Sequence, residues 1–211
     1  MTHQSTEIFS PPLEKRVEEL SQLSDLVGEF MKIERATYRD GRPETDGEHT
    51  IHVMFLAVAY AAKYHPEYDT GEVALLTMIH DLDEVYVGDV NSLTADDEAM
   101  QEKERNEERS RDTLRSHLCN FPKLLDLLER YWAQDDPVVK FVRSFEKFDP
   151  SFVHQRDGGR AIRAMGITTT DQYRELDTRA IERMSEYAAP DIIGIRRILG
   201  AQVMESTFDT V

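Results

Sequence analysis

Residues 49–64 and 72–82 are apolar on nearly every side of a helical projection, which limits the chain to folds that bury two helices near their centre. The first stretch carries Ile51, Val53, Met54, Phe55, Leu56, Val58, Ala59 and Ala62. The second runs from Val73 to Ile79 and ends in His80-Asp81. Neither reaches the ~20 residues that cross a bilayer, so both belong to a globular core. Leu13, Val17, Leu20, Leu23, Val27, Phe30 and Met31 recur at three- and four-residue steps and predict a helix with one buried face. Thr37 to Gly47 holds Gly41, Pro43 and Gly47 among charged residues and reads as a loop.

Further helices are expected over 95–116, 122–132, 137 to about 154, 170 to about 187 and 190 to about 204. Pro122, Pro137 and Pro190 suit first turns, where no N–H is needed. The segment 95–116 is dense in Glu, Lys and Arg, as in a solvated helix; an insertion lid over a site is the alternative. No segment has the alternation of a strand. The fold class is therefore all-α, an orthogonal helical bundle. Residues 1–12 read as a tail, 13–160 as the helical core, and 161–211 as a helical extension packed on it.

The chain has 211 residues, and 41 acidic against 25 basic side chains give a formal charge of −16. Such a balance argues against nucleic-acid polymers and anionic membranes, which are bound through clustered Lys and Arg. It leaves room for a small phosphorylated substrate. Cys119 is the single cysteine, so neither an intramolecular disulfide nor a thiolate cluster can form. This and a polar N-terminus without a signal-peptide core suit a cytoplasmic protein.

The residues with chemical potential cluster at helix ends. Adjacent His and Asp side chains diverge by about 100° on a helix, so both reach one ion only beside the helix terminus. His49, His80, Asp81 and a carboxylate from the 137–154 helix would complete a four-ligand site for a borderline divalent ion. Glu84 follows at a spacing that brings it near the pair. His52, one turn after His49, reads as a core or supporting residue, and Lys103 as a surface residue. Hydrolysis of a phosphomonoester needs a metal to polarise the phosphate, an acid to handle a proton and arginines to match its oxygens.

These segments resemble the HD-domain metal-dependent phosphohydrolases, in particular the branch containing the 5′-deoxynucleotidases. Lys32-Ile33-Glu34-Arg35, Arg42-Pro43-Glu44-Thr45 and Glu48-His49-Thr50 resemble the family's first segment. His80-Asp81-Leu82-Asp83-Glu84 with Gly88-Asp89 resembles its His-Asp-x-x-Glu-x-x-x-Gly-Asp signature. Lys103-Glu104 and Lys140-Phe141-Val142 through Pro150 extend the match.

The resemblance implies a helical HD fold and one divalent ion, with Mn, Co, Fe, Zn and Mg as candidates. It implies ligands at His49, His80 and Asp81, with Glu146 standing where the family has Asp. Asp149, one turn on, directly precedes Pro150, a position expected to leave its direction less defined. Glu84 and Asp89 match the catalytic acids. Arg39 and Arg42 are the candidates for phosphate, and Tyr38 for the sugar in place of a tryptophan. The implied activity is removal of phosphate from nucleoside 5′-monophosphates, deoxyribonucleotides among them. The alternatives are a nucleoside triphosphate phosphohydrolase and a nucleotide-binding scaffold without turnover. The expected partner is a small nucleotide, with neither a nucleic acid polymer nor a membrane, and the reading is compatible with a homodimer.

Overall fold

A computed structural model describes residues 11–88 and 97–208. Among them are nine α-helices, one short 3-10 helix and one two-stranded sheet. The order is α1 (Leu13–Phe30), β1 (Glu34–Arg39), β2 (Arg42–Thr45), α2 (Asp46–Tyr64), α3 (Thr70–Ile79) and the 3-10 helix (Leu82–Tyr86). Then come α4 (Asp97–His117), α5 (Pro122–Ala133), α6 (Pro137–Arg156), α7 (Arg160–Ala164), α8 (Thr170–Met184) and α9 (Pro190–Phe208).

The all-α class holds, with one correction: the segment expected as a loop is a β-hairpin. Arg39 pairs with Arg42, leaving Asp40-Gly41 as a two-residue turn. Both turn residues have positive φ, 52° and 85°. That matches a type I′ turn, for which Asp-Gly is a favoured pair. The strands escape notice because they are short and polar, ERATYR and RPET.

The start of α2 is fixed by a capping box that the sequence also carries. Glu48 N donates to Thr45 Oγ1 at 3.3 Å, and Thr45 N donates to a Glu48 carboxylate oxygen at 3.0 Å. Helix α2 therefore begins before His49 and holds that residue inside a regular turn. Asp69 caps α3, and Asp136 caps α6 through the amides of Val138 and Val139.

Val53, Ala57 and Ala61 of α2 pack without exposure beside Val73 and Leu76 of α3 and Val139, Val142 and Phe145 of α6. Small residues on α2 allow close helix approach. Two expected faces are narrower than their sequences suggest. In α1 only Leu26 and Phe30 are buried, while Leu13, Val17, Leu20, Val27 and Met31 are exposed. Only the end of this helix reaches the core. In α2 and α3, Ile51, Phe55, Leu75 and Met78 face outward.

Met184, Ile192, Ile193 and Leu199, from beyond residue 160, belong to the same core cluster. A smaller cluster joins Ile162, Ile167, Tyr173 and Val203. No described helix is long and apolar enough to cross a membrane.

Helix α6 reaches the closing segments through Gly159, whose φ is +71° and whose missing Cβ leaves room for Thr207 of α9. Gly159→Ala combines a left-handed backbone with an overlap against Thr207. We expect a loss of about 2–4 kcal/mol, measured by urea unfolding. An unchanged midpoint would mean that α9 does not pack there.

Candidate metal centre

His80 caps the C-terminus of α3, and Asp81 follows in the turn before the 3-10 helix. The helix thus ends between the two residues, which lets adjacent side chains converge. His49 comes from the first turns of α2. His49, His80 and Asp81 each offer a ligand atom within 4.8 Å of the others. The imidazoles are tilted, with ring centroids 5.3 Å apart.

The hydrogen bonds fix which nitrogens face the centre. His80 Nδ1 lies 2.7 Å from the carbonyl oxygen of Thr77, which can only accept, so Nδ1 carries the proton. His49 Nδ1 lies 3.0 Å from Asp149 Oδ2. Burial opposes ionisation of Asp149, but hydrogen bonds from His49 and His52 outweigh it and hold the carboxyl at about 2. Asp149 is therefore an acceptor, and His49 Nδ1 donates. Both Nε2 atoms are left facing inward, where each ring, once neutral, offers a lone pair. They lie 3.7 Å (His49) and 3.0 Å (His80) from Asp81 Oδ2. Both are buried and make no hydrogen bond among the described residues.

Two inward lone pairs beside a carboxylate fit a divalent cation. Imidazoles oriented by a carbonyl and a carboxylate are the usual support for such ligands. The electrostatics agree. Burial lowers the His80 pKa, but Asp81 outweighs it and holds the imidazole up to about 9, so without an ion Nε2 keeps a proton beside Asp81, a proton that a bound cation would displace. The pocket favours positive charge between the imidazole and the carboxylate.

Asp149 is fully buried and helical, because Pro150 lies within an unbroken α6. The expectation of a poorly directed pre-proline residue is thus corrected. Its carboxylate also meets His52 Nδ1, 2.6 Å away. Glu146 lies one turn earlier, buried near the centre, and His80 and Asp81 both act on its charge. Its carboxylate accepts from the Tyr131 hydroxyl and pairs with Lys147 at 2.7 Å. It is not among the three residues within 4.8 Å of one another.

Strand β1 adds a residue absent from the candidates drawn from sequence. Arg35 Nη1 donates to Asp46 Oδ1 at 2.7 Å and to Asp81 Oδ2 at 3.0 Å. It lies 3.9 Å from Glu84 Oε2. Glu84 is buried and lines the same cavity as Arg35, His49, His80 and Asp81, a space of about 690 Å³. Asp46, Asp81 and Glu84 form a second group of carboxylates within 4.8 Å, gathered around this guanidinium.

Arg39 donates to Glu44 and Arg42 to Glu48, and neither lines that cavity. Tyr38 is half-buried on β1, outside the lining. Asp89 lies outside the described residues. Helix α4 forms one wall, through Lys103, Glu107 and Arg111. Lys103 pairs with Glu107 at 3.4 Å. Arg111 Nε donates to Asp83 Oδ2 at 3.1 Å, tying α4 to the 3-10 helix.

The profile of the HD-domain family matches residues 27–188, and the chain belongs to that family. No curated protein matches significantly. Among solved structures, a predicted metal-dependent phosphohydrolase from Magnetospirillum magnetotacticum MS-1 is 20% identical, with a TM-score of 0.71. The match covers 90% of this chain and 96% of that one. A protein from Pyrococcus horikoshii OT3 is 18% identical over 88% of this chain and 99% of that one, with a TM-score of 0.60. A conserved hypothetical protein from Pyrococcus furiosus is 16% identical over 87% and 98%, with a TM-score of 0.57. These likenesses establish a shared fold.

The orientation of His49 depends on Asp149. Asp149→Asn should weaken Mn²⁺ binding by about 10–100-fold in a calorimetric titration. Added Mn²⁺ should raise the melting temperature of the unaltered protein, since only the folded state assembles the ligands. Equal affinities in the two proteins would remove Asp149 from this role.

Proposed function

We propose that the protein is a metal-dependent phosphohydrolase of the 5′-nucleotidase type, which removes phosphate from nucleoside 5′-monophosphates. The observation that carries this reading is the pair of buried, inward-facing Nε2 atoms beside Asp81, in a cavity that also holds Glu84 and Arg35. The cavity is within the range of small-molecule sites, about 300–1,000 Å³. The resemblance of the His-Asp-x-x-Glu-x-x-x-Gly-Asp segment to the 5′-deoxynucleotidases supports the choice of substrate. The description of the Magnetospirillum protein as a predicted metal-dependent phosphohydrolase supports the reaction class.

His49, His80 and Asp81 would hold one divalent ion, with Glu146 as the fourth protein ligand. The ion would supply Lewis-acid polarisation of a phosphoryl oxygen. The remaining chemistry falls to side chains. In our reading, the Glu84 carboxylate takes a proton from the attacking water as its oxygen bonds to phosphorus, and Glu84 passes that proton to the ester oxygen as its bond to phosphorus breaks. Arg35 meets phosphoryl oxygens from the side of β1. It is the better placed arginine, since it lines the cavity and Arg39 and Arg42 do not. Asp149 keeps the His49 lone pair aimed inward. Asp89 is kept as a further acid on the family pattern alone.

Two measurements test this. A panel of nucleoside mono-, di- and triphosphates with Mn²⁺, Co²⁺, Zn²⁺ or Mg²⁺ should release orthophosphate from monophosphates. Release of triphosphate would favour the triphosphohydrolase alternative, and no release with any metal would favour a binding scaffold. Glu84→Gln should retain the metal and lose about 10²-fold or more in turnover. Loss of the metal in that variant would instead make Glu84 a ligand.

A further inference from the structure

Cations in this acidic chain are mostly engaged, and two that line the cavity stand out. Arg35, Lys103, Arg111, Lys147 and Arg196 all line it, and each is paired with a carboxylate. Arg143 and Arg183 line it as well, and no ion pair to either is found among the described residues. Arg143 belongs to α6, four residues before Lys147 and hence on the same helix face. Arg183 is in the last turn of α8, and Tyr187 follows four residues later.

These groups converge. The Arg143 guanidinium lies over the Tyr187 ring, 4.6 Å from its centroid. Lys147 and Arg183 line the same cavity, and together with Arg143 and Glu146 they act electrostatically on the Tyr187 hydroxyl. Burial nevertheless raises the Tyr187 pKa, and the hydroxyl keeps its proton as a donor. Glu146 and Glu186 are the acids on this wall, which leaves one positive charge in excess. The α4 wall carries Lys103 and Arg111, each paired with Glu107.

We propose that Arg143, Lys147, Arg183 and Tyr187 form an oxyanion cradle that holds the phosphate-bearing end of the substrate, with Arg183 and Tyr187 supplied by the segment beyond residue 160. Arginine suits the role because its planar donors match phosphate oxygens. The cradle adjoins the metal centre through α6, where Lys147 is next in sequence to Glu146 and is influenced by Asp81. The segment beyond residue 160 then contributes to recognition as well as to packing. That the anion is a phosphate rests on the phosphohydrolase reading; that an oxyanion binds here rests on the cations alone.

The test uses the full-length, Mn²⁺-loaded protein with inorganic phosphate as the probe, followed by calorimetry, and a nucleoside 5′-monophosphate as substrate. The double variant Arg143→Ala/Arg183→Ala should bind phosphate at least tenfold more weakly. It should raise KM by a similar factor, with kcat changed less and metal content unchanged. Arg143→Lys, which keeps the charge, should restore part of the affinity and also controls for folding. Binding should weaken with added salt. Phosphate affinity and KM unchanged in the double variant, or no phosphate binding by the unaltered protein, would overturn the cradle. If the unaltered protein binds phosphate through these arginines yet hydrolyses no phosphate ester, the cradle stands and the phosphohydrolase reading falls.

Discussion

Asp149 lies on α6 with no exposed surface, between two imidazoles of α2. A carboxylate in that position is costly unless both oxygens are satisfied, and here each oxygen receives one N–H. The arrangement joins helices a hundred residues apart in sequence and sets the direction of His49. Removing the acceptor alone would strand the buried N–H of His49 and the half-buried one of His52, a larger loss than one hydrogen bond is worth on its own. The three-residue centre depends on this contact, because a rotated His49 would direct a proton rather than a lone pair at Asp81.

Charge balance explains the hairpin in an otherwise helical fold. Asp46, Asp81 and Glu84 bring three acids into a small volume. Arg35 lies among them, carried by β1 and held by its bonds to Asp46 and Asp81. The same hairpin buries Glu44 beneath Thr37 and Arg39. The Asp40-Gly41 turn folds β2 back so that Thr45 can cap α2, and His49 follows one turn later. A polar hairpin thus determines both the cation beside the centre and the start of the helix that bears one of its imidazoles.

Much of the helical order was legible because core-facing residues recur with helical period and because Pro122, Pro137 and Pro190 begin helices. The hairpin was not, since its strands lack apolar alternation, although Asp-Gly is a recognised turn signal. The exposed stripe of α1 and the outward face of α2 were overread, because periodicity gives an apolar face without saying what covers it. In the site, His49, His80 and Asp81 were nominated by their places on apolar helices, and the fold brings their ligand atoms within 4.8 Å. The arginines were harder to rank. Arg35, Arg39 and Arg42 look alike in sequence, and only three-dimensional pairing separates Arg35 at the centre from two that bind neighbouring acids. Arg143, Lys147, Arg183 and Tyr187 line one cavity although they come from distant segments, and the sequence carries no local mark of that.

The central claim is that one divalent ion sits between His49, His80 and Asp81. Crystals grown with Mn²⁺ and measured for anomalous scattering test it most directly. One strong peak is expected about 2.0–2.6 Å from Nε2 of His49, Nε2 of His80 and a carboxylate oxygen of Asp81, with a Glu146 oxygen completing the protein ligands. A peak instead among Asp46, Asp81 and Glu84, with both Nε2 atoms still unligated, would contradict it.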